Sequence, residues 1–159
     1  MTTQPEKDGI LELRVVSAPR LLHIVRSVVG QLSALRGFSE EDTQFIILAV
    51  DEACANVIRH AYLGRHDGVI ALSCRLRHEG IEFLITDYGK PADSGCWPKR
   101  SLEEVRPGGL GIPLIQAVMD RVEYRRGEGC NELLLGKTLH TPPPGSPQEA
   151  SSHEEKTKR

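Results

Sequence analysis

Glu52 and Asn56 stand four residues apart in the run Asp51-Glu52-Ala53-Cys54-Ala55-Asn56. At that spacing on a helix both side chains project from one face, a turn apart. The stretch from Ile47 to Tyr62 carries a helical pattern, because Ile47, Val50, Cys54, Val57, Ile58 and Ala61 recur at three- and four-residue steps. Asp51 and Glu52 interrupt this apolar run, and carboxylates are rarely buried without partners. A carboxylate and a carboxamide on an apolar helix wall are a pair that could hold a water and a divalent cation. Oxygen donors suit magnesium, which takes one or two protein oxygens together with substrate phosphates. The same two residues also fit a solvated helix edge, the commoner use of Glu and Asn on a helix.

Two glycine-bearing stretches offer further chemistry. In Thr86-Asp87-Tyr88-Gly89-Lys90-Pro91-Ala92-Asp93, Asp87 ends a strand pattern and could accept a hydrogen bond from an exocyclic amine such as that of adenine. Gly89 would let the backbone approach a ring closely; an Asp-x-Gly turn with no ligand fits the same residues. In Gly108-Gly109-Leu110-Gly111-Ile112 the glycines immediately precede a helical pattern. Free backbone N–H groups at a helix start can point at an anion, aided by the helix dipole. The stretch is neither a Walker loop nor a Rossmann fingerprint, and it also fits a plain connector.

The elements that would position these residues follow from periodicity and punctuation. Residues 1–9 are polar and are expected to be a disordered leader. Ile10 to Val16 reads as a strand, and Ser17 with Pro19 as the start of a helix reaching about Leu35 and closed by Gly37. Ser39 is the next cap, followed by Glu40, Glu41 and Asp42 at the positive end of a second helix. That helix carries Glu52 and Asn56 and ends near Tyr62–Gly64. Val69 to Leu76 and Ile81 to Thr86 alternate as a hairpin, antiparallel because the turn between them is short. Residues 87–109 lack any period, and an irregular stretch of this length in a compact domain is usually functional. Leu110 to Arg121 reads as a helix with Pro113 in its first turn, and Val122–Arg126 and Leu133–Leu139 as two more strands. From 141 to 159 the proline-rich, polar tail cannot bury enough apolar surface to order itself. The expected domain is 10–140. It is an α/β fold, an α+β two-layer sandwich with a mixed, mostly antiparallel sheet and helices on one face.

Composition excludes several classes. The 159 residues suffice for one domain with a real core. A net charge of −2 is unlike the basic surface of a nucleic-acid binder. No apolar run approaches the roughly 20 residues needed to span a bilayer, and the N-terminus lacks a signal-peptide core; the expected location is cytoplasmic. Cys54, Cys74, Cys96 and Cys130 form no C-x-x-C pair, which argues against zinc, and Cys54 and Cys74 fit small buried apolar residues.

The order and spacing of the three stretches resemble the GHKL ATPase superfamily, the Bergerat fold. Within it the wording is similar to that of the bacterial anti-sigma-factor serine kinases: Asp51-Glu52-Ala53-Cys54-Ala55-Asn56, then His60-Ala61-Tyr62, then Gly108-Gly109-Leu110-Gly111-Ile112. Met119-Asp120 followed by Val122-Glu123-Tyr124 also looks like that family's next helix and strand. The resemblance covers about residues 10–139. It implies that Asn56 coordinates Mg²⁺ bridging the phosphates of ATP, and that Glu52 is the general base toward an attacking serine hydroxyl. Asp87 would bind the adenine amine and Gly89 pass beneath the base. Residues 108–112 (Gly108, Gly109, Leu110, Gly111 and Ile112) would hold phosphate, and 94–107 would be a lid. Arg59 and His60, at the same helix end, could touch phosphate or a partner, or be solvated. The chain departs from the pattern at Pro91, where many members have glycine, and at Ala92, where a larger apolar residue is common.

The implied function is an ATP-binding anti-sigma factor with serine kinase activity. It would sequester a sigma factor and phosphorylate a small STAS-type anti-anti-sigma protein, without direct contact with nucleic acid or membrane. A homodimer through the first strand and helix is also implied, since an edge strand seeks pairing. Two alternatives remain. One is an ATP-controlled binding module without kinase activity. The other is a detached histidine-kinase ATPase domain, for which His23 would be the phospho-acceptor, although its neighbours Leu21, Leu22, Ile24 and Val25 suit a core histidine.

Overall fold

The computed structural model describes residues 10–92 and 111–140. The expected leader (1–9), the lid (94–107), Gly108, Gly109 and Leu110, Cys96 and the tail (141–159) lie outside these residues. Strand β1 (Ile10–Val16) leads through a 3-10 turn at Pro19–Leu21 into α1 (Leu22–Arg36). Gly37 ends α1 with φ 102°, the left-handed conformation that glycine adopts without strain. The Ser39 hydroxyl caps α2 (Glu40–Asn56), accepting from the Asp42 N–H at 3.0 Å, with three acids in the first turn. The helix continues as a π-turn over Val57–Ala61. Then come β2 (Val69–Arg77), β3 (Gly80–Asp87), α3 (Gly111–Val118), β4 (Arg121–Arg126) and β5 (Asn131–Thr138).

The five strands form one sheet in the order β1-β2-β3-β5-β4, and the expected mostly antiparallel sheet is antiparallel at every pairing among the described residues. Alternation in the strands sorts the faces. Ile70, Leu72 and Cys74 of β2, Ile81, Phe83 and Ile85 of β3, and Leu133 and Leu135 of β5 are buried. They share one core with Val25 and Val29 of α1, Ile46, Val50 and Cys54 of α2, and Ile115 of α3. Burial of Cys54 and Cys74 pushes both thiols up to about 12, so they pack as small apolar groups.

The opposite face is left to charge. Glu82 lies between Arg77 at 2.7 Å and Arg121 at 3.3 Å, and Glu123 between Arg121 at 2.7 Å and Arg125 at 2.8 Å. The two arginines hydrogen-bonding Glu123 hold its carboxyl down to about 2. Charges along β4 also protect that sheet edge from pairing with another chain.

Three local expectations are corrected. Ser17 caps no helix; its hydroxyl donates to the Arg65 carbonyl at 2.6 Å and accepts from the Gly68 N–H at 3.0 Å, fastening the 65–68 loop to the end of β1. The third helix stops at Val118: the Met119 N–H still makes a helical bond back to Ile115, but the Asp120 N–H leaves the helix and bonds across to Gly136 of β5. The last strand begins at Asn131, two residues before the apolar run, because pairing with Asp87 extends the ladder into polar sequence.

The Tyr62 hydroxyl joins three segments. It donates to the Val69 carbonyl at 2.6 Å and accepts from the N–H groups of Val69 at 3.2 Å and Tyr88 at 2.9 Å. Gly68 lies so close to its ring that a methyl there would sit 2.4 Å from ring carbon. Tyr62→Phe strands these partners in a half-buried place, and chemical denaturation should show a loss of about 1–3 kcal/mol.

Candidate nucleotide site

Each site residue is placed by an element that the sequence specifies locally. Glu52 and Asn56 lie on α2, half-buried beside the stripe that buries Ala49 and Ala53. Their side-chain oxygens converge on one cationic nitrogen. Arg59 Nη2 donates to Glu52 Oε1 at 2.5 Å and to Asn56 Oδ1 at 2.8 Å. The Glu52 side chain is 25% exposed and that of Arg59 52%, so the guanidinium reaches in from solvent over half-buried oxygens. Asn56 Nδ2 is buried without a hydrogen-bond partner among the described residues. Beside this pair, Asp51 is held by Arg26 of α1 at 2.8 Å.

The third stretch meets the first. A Cβ placed on Gly111, the first residue of α3, would come within 2.2 Å of Glu52 Oε1. The backbone at the start of α3 therefore lies against the carboxylate, and any side chain at 111 would push it aside. Gly111 and Ile112 are both half-buried here. The structure thus brings Glu52 and Gly111 together; Gly108, Gly109 and Leu110 lie outside the described residues.

Asp87 ends β3 and is 6% exposed. One oxygen, Oδ1, accepts from the Gly89 N–H at 2.9 Å and from Asn131 Nδ2 at 2.8 Å. Oδ2 has no hydrogen-bond partner among the described residues. Burial pushes the Asp87 carboxyl above the ordinary 3.8, against the lowering effect of the bonds from Asn131 and Gly89. Asn131 also donates to the Gly89 carbonyl at 3.2 Å and accepts from the Tyr124 hydroxyl at 3.2 Å, which in turn accepts from the Ala92 N–H at 3.0 Å. Gly89 is needed for a reason that spacing did not show: a Cβ there would sit 2.5 Å from the carbonyl oxygen of Ala61. The adjacent Lys90 N–H donates to that same carbonyl at 2.8 Å. Pro91, lacking an N–H, falls between two residues whose N–H groups are already bound to protein, so the fold loses nothing there.

The arrangement can hold a cation and a base-bearing ligand at separate ends. Two side-chain oxygens that already converge on one positive nitrogen suit magnesium, which needs few protein oxygens. Among the described residues no group of three or more His, Cys, Asp or Glu side chains could hold a metal by itself. The nine steps from Glu52 to Ala61 correspond to roughly 13 Å of helical rise and the five from Asn56 to roughly 7 Å, so the Asp87–Gly89 turn lies beyond the Glu52–Asn56 pair along one wall.

Residues 15–137 match the family model of the histidine kinase-like ATPase domain. The chain belongs to this family. It is 31% identical over 134 residues to the serine-protein kinase RsbW of Halalkalibacterium halodurans, covering 79% of this chain and 80% of the relative. To the serine-protein kinase RsbW of Bacillus subtilis it is 25% identical over 127 residues, 75% of this chain and 79% of that one. Among solved structures, the RsbU and RsbW domains of Rv1364c from Mycobacterium tuberculosis superpose with a TM-score of 0.59 at 17% identity, over 84% of this chain and 33% of that chain. The histidine kinase domain of Erythrobacter litoralis EL346 blue-light activated histidine kinase gives 0.52 at 18% identity, over 76% and 60%. These structures share the fold of the family: an antiparallel sheet layered with helices.

Sequence reasoning missed Asn131, Tyr124 and Tyr62, which fix the Asp87 turn. Asn131 opens β5 opposite Asp87, and only the strand register reveals that. Asp87 also sets a trade-off. Its folded state holds a proton more readily than the unfolded chain, so its burial weakens wild-type folding as pH rises through the elevated pKa. Asp87→Asn keeps an oxygen for Gly89 and Asn131 but carries no charge. Urea midpoints should show the variant more stable than wild type near neutral pH, with the advantage shrinking as pH is lowered toward about 4.

Proposed function

We propose that this chain is an ATP-dependent serine-protein kinase that acts as an anti-sigma factor in the cytoplasm, with residues 10–140 as its nucleotide domain. The observation that carries this reading is the convergence of Glu52, Asn56 and the Gly111 end of α3 over the last turn of α2, with the Asp87–Gly89 turn against Ala61 in the π-turn that follows. An extended nucleotide places its base and its terminal phosphate at a comparable separation. Similarity to serine-protein kinases over four fifths of their length supports the chemistry. Among the described residues no helix is long and apolar enough to cross a membrane.

In this reading the Oδ2 of Asp87, unbonded among the described residues, accepts from the adenine amine, and Gly89 forms the floor beneath the ring. The N–H groups at the start of α3, with Gly108, Gly109, Leu110, Gly111 and Ile112 in sequence, receive phosphate oxygens. Asn56 Oδ1 is the protein ligand for Mg²⁺. Bound magnesium supplies neutralisation of charge across the phosphates. Glu52 takes the proton of a substrate serine as its oxygen bonds to the terminal phosphorus, the bridging oxygen departs with ADP, and the serine leaves phosphorylated. The substrate is a small STAS-type anti-anti-sigma protein, the sequestered partner is a sigma factor, and the working form is a homodimer.

Mixing purified protein with Mg-ATP and such an antagonist should transfer labelled phosphate to a serine. Glu52→Ala should lower transfer roughly 10²–10⁴-fold while nucleotide binding remains, and Asp87→Ala should abolish nucleotide binding measured by calorimetry. Partner binding that responds to nucleotide, with no transfer by wild type under any condition, would favour the controlled binding module instead.

A further inference from the structure

We propose that Arg59 is a built-in counter-cation: in nucleotide-free protein it occupies the point shared by Glu52 and Asn56, and it must be displaced by the Mg²⁺ that arrives with nucleotide. This rests on the assignment of Asn56 as metal ligand and Glu52 as base given above.

A single nitrogen, Arg59 Nη2, serves both acceptors, at 2.5 Å from Glu52 and 2.8 Å from Asn56. The same two oxygens cannot serve a guanidinium and a divalent cation at once, because the two positive charges would be held within a few ångströms of each other. Occupation by one therefore excludes the other. The half-exposed guanidinium is suited to exchange, since ion pairs open to solvent are weakly held. Asn56 is restrained from one side only, as its Nδ2 lacks a partner among the described residues. Losing Arg59 therefore frees the amide to reorient toward a new ligand. Arg59 also sits in the π-turn at the end of α2, three residues beyond Asn56. Its guanidinium reaches back over that helix end from solvent. While it is bound there, Glu52 Oε1 is engaged with a donor and is poorly placed to accept a serine proton. The latch thus couples arrival of metal to release of the base.

The test is calorimetric titration of the full chain with ADP, which is not turned over, with magnesium and with EDTA. The readout is the ratio of the two dissociation constants, EDTA over magnesium. Arg59→Gln should raise this ratio roughly three- to tenfold over wild type, the scale of a half-exposed ion pair with two acceptors. Arg59→Lys, which keeps the charge, should stay closer to wild type. Melting of nucleotide-free protein checks folding, and if the glutamine variant does not fold Arg59→Met, which also removes the charge and keeps the length of the side chain, takes its place with the same expected rise. Wild-type binding with an unchanged ratio in the variants overturns the latch and leaves the functional reading intact. A lowered ratio in Arg59→Gln also overturns it, because Arg59 would then support the metal-bound nucleotide. Absence of Mg-ADP binding by wild type overturns the functional reading and the latch together.

Discussion

One helix has to satisfy two demands that conflict. Ile46, Val50, Ala53 and Cys54 of α2 are buried against the sheet, while Asp51, Glu52 and Asn56 on the same helix need polar company. Amphipathic packing resolves the conflict, because burying one face fixes the rotation of the helix and therefore where every polar side chain points. Asp51 then meets Arg26 of α1, and Glu52 meets the glycine that starts α3. Rotating α2 by even one residue would bury a carboxylate, so the apolar contacts hold the site residues in place without touching a ligand.

The turn that follows the same helix is held by polar bonds instead. The Tyr62 hydroxyl, the Ala61 carbonyl and the Asn131 amide between them bind the backbone of residues 88–90 and the carboxylate of Asp87. A strand end that lacks ladder partners must satisfy its N–H and C=O groups elsewhere, and here those partners come from the π-turn after α2, from β4 and from β5. A buried carboxylate with one oxygen engaged and the other without a partner among the described residues is costly to the fold and useful for a ligand. Such departures from a stability optimum are expected where a chain binds something.

Much of this was legible in the residues. The helix over Glu40–Asn56, its Ser39 cap, the β2–β3 hairpin and the positions of Glu52, Asn56, Asp87 and Gly111 follow from periodicity, capping chemistry and spacing, which act between neighbours in the chain. Ser17 misled because a serine before a helix pattern looks like a cap, whereas its hydroxyl found the Arg65 carbonyl and the Gly68 N–H from 48 and 51 residues away. Asn131 was passed over because it precedes the apolar run that marks the strand.

The sequence by itself therefore determined which residues could do chemistry and which elements carry them, since those depend on interactions between residues a few positions apart. Only tertiary structure decided what they touch: that β5 lies beside β3 and brings Asn131 to Asp87, that Gly89 is pressed against the carbonyl of Ala61, and that one arginine nitrogen lies between Glu52 and Asn56. Strand order, register and the rotamer of a long side chain depend on how the whole core packs, and no local pattern encodes them.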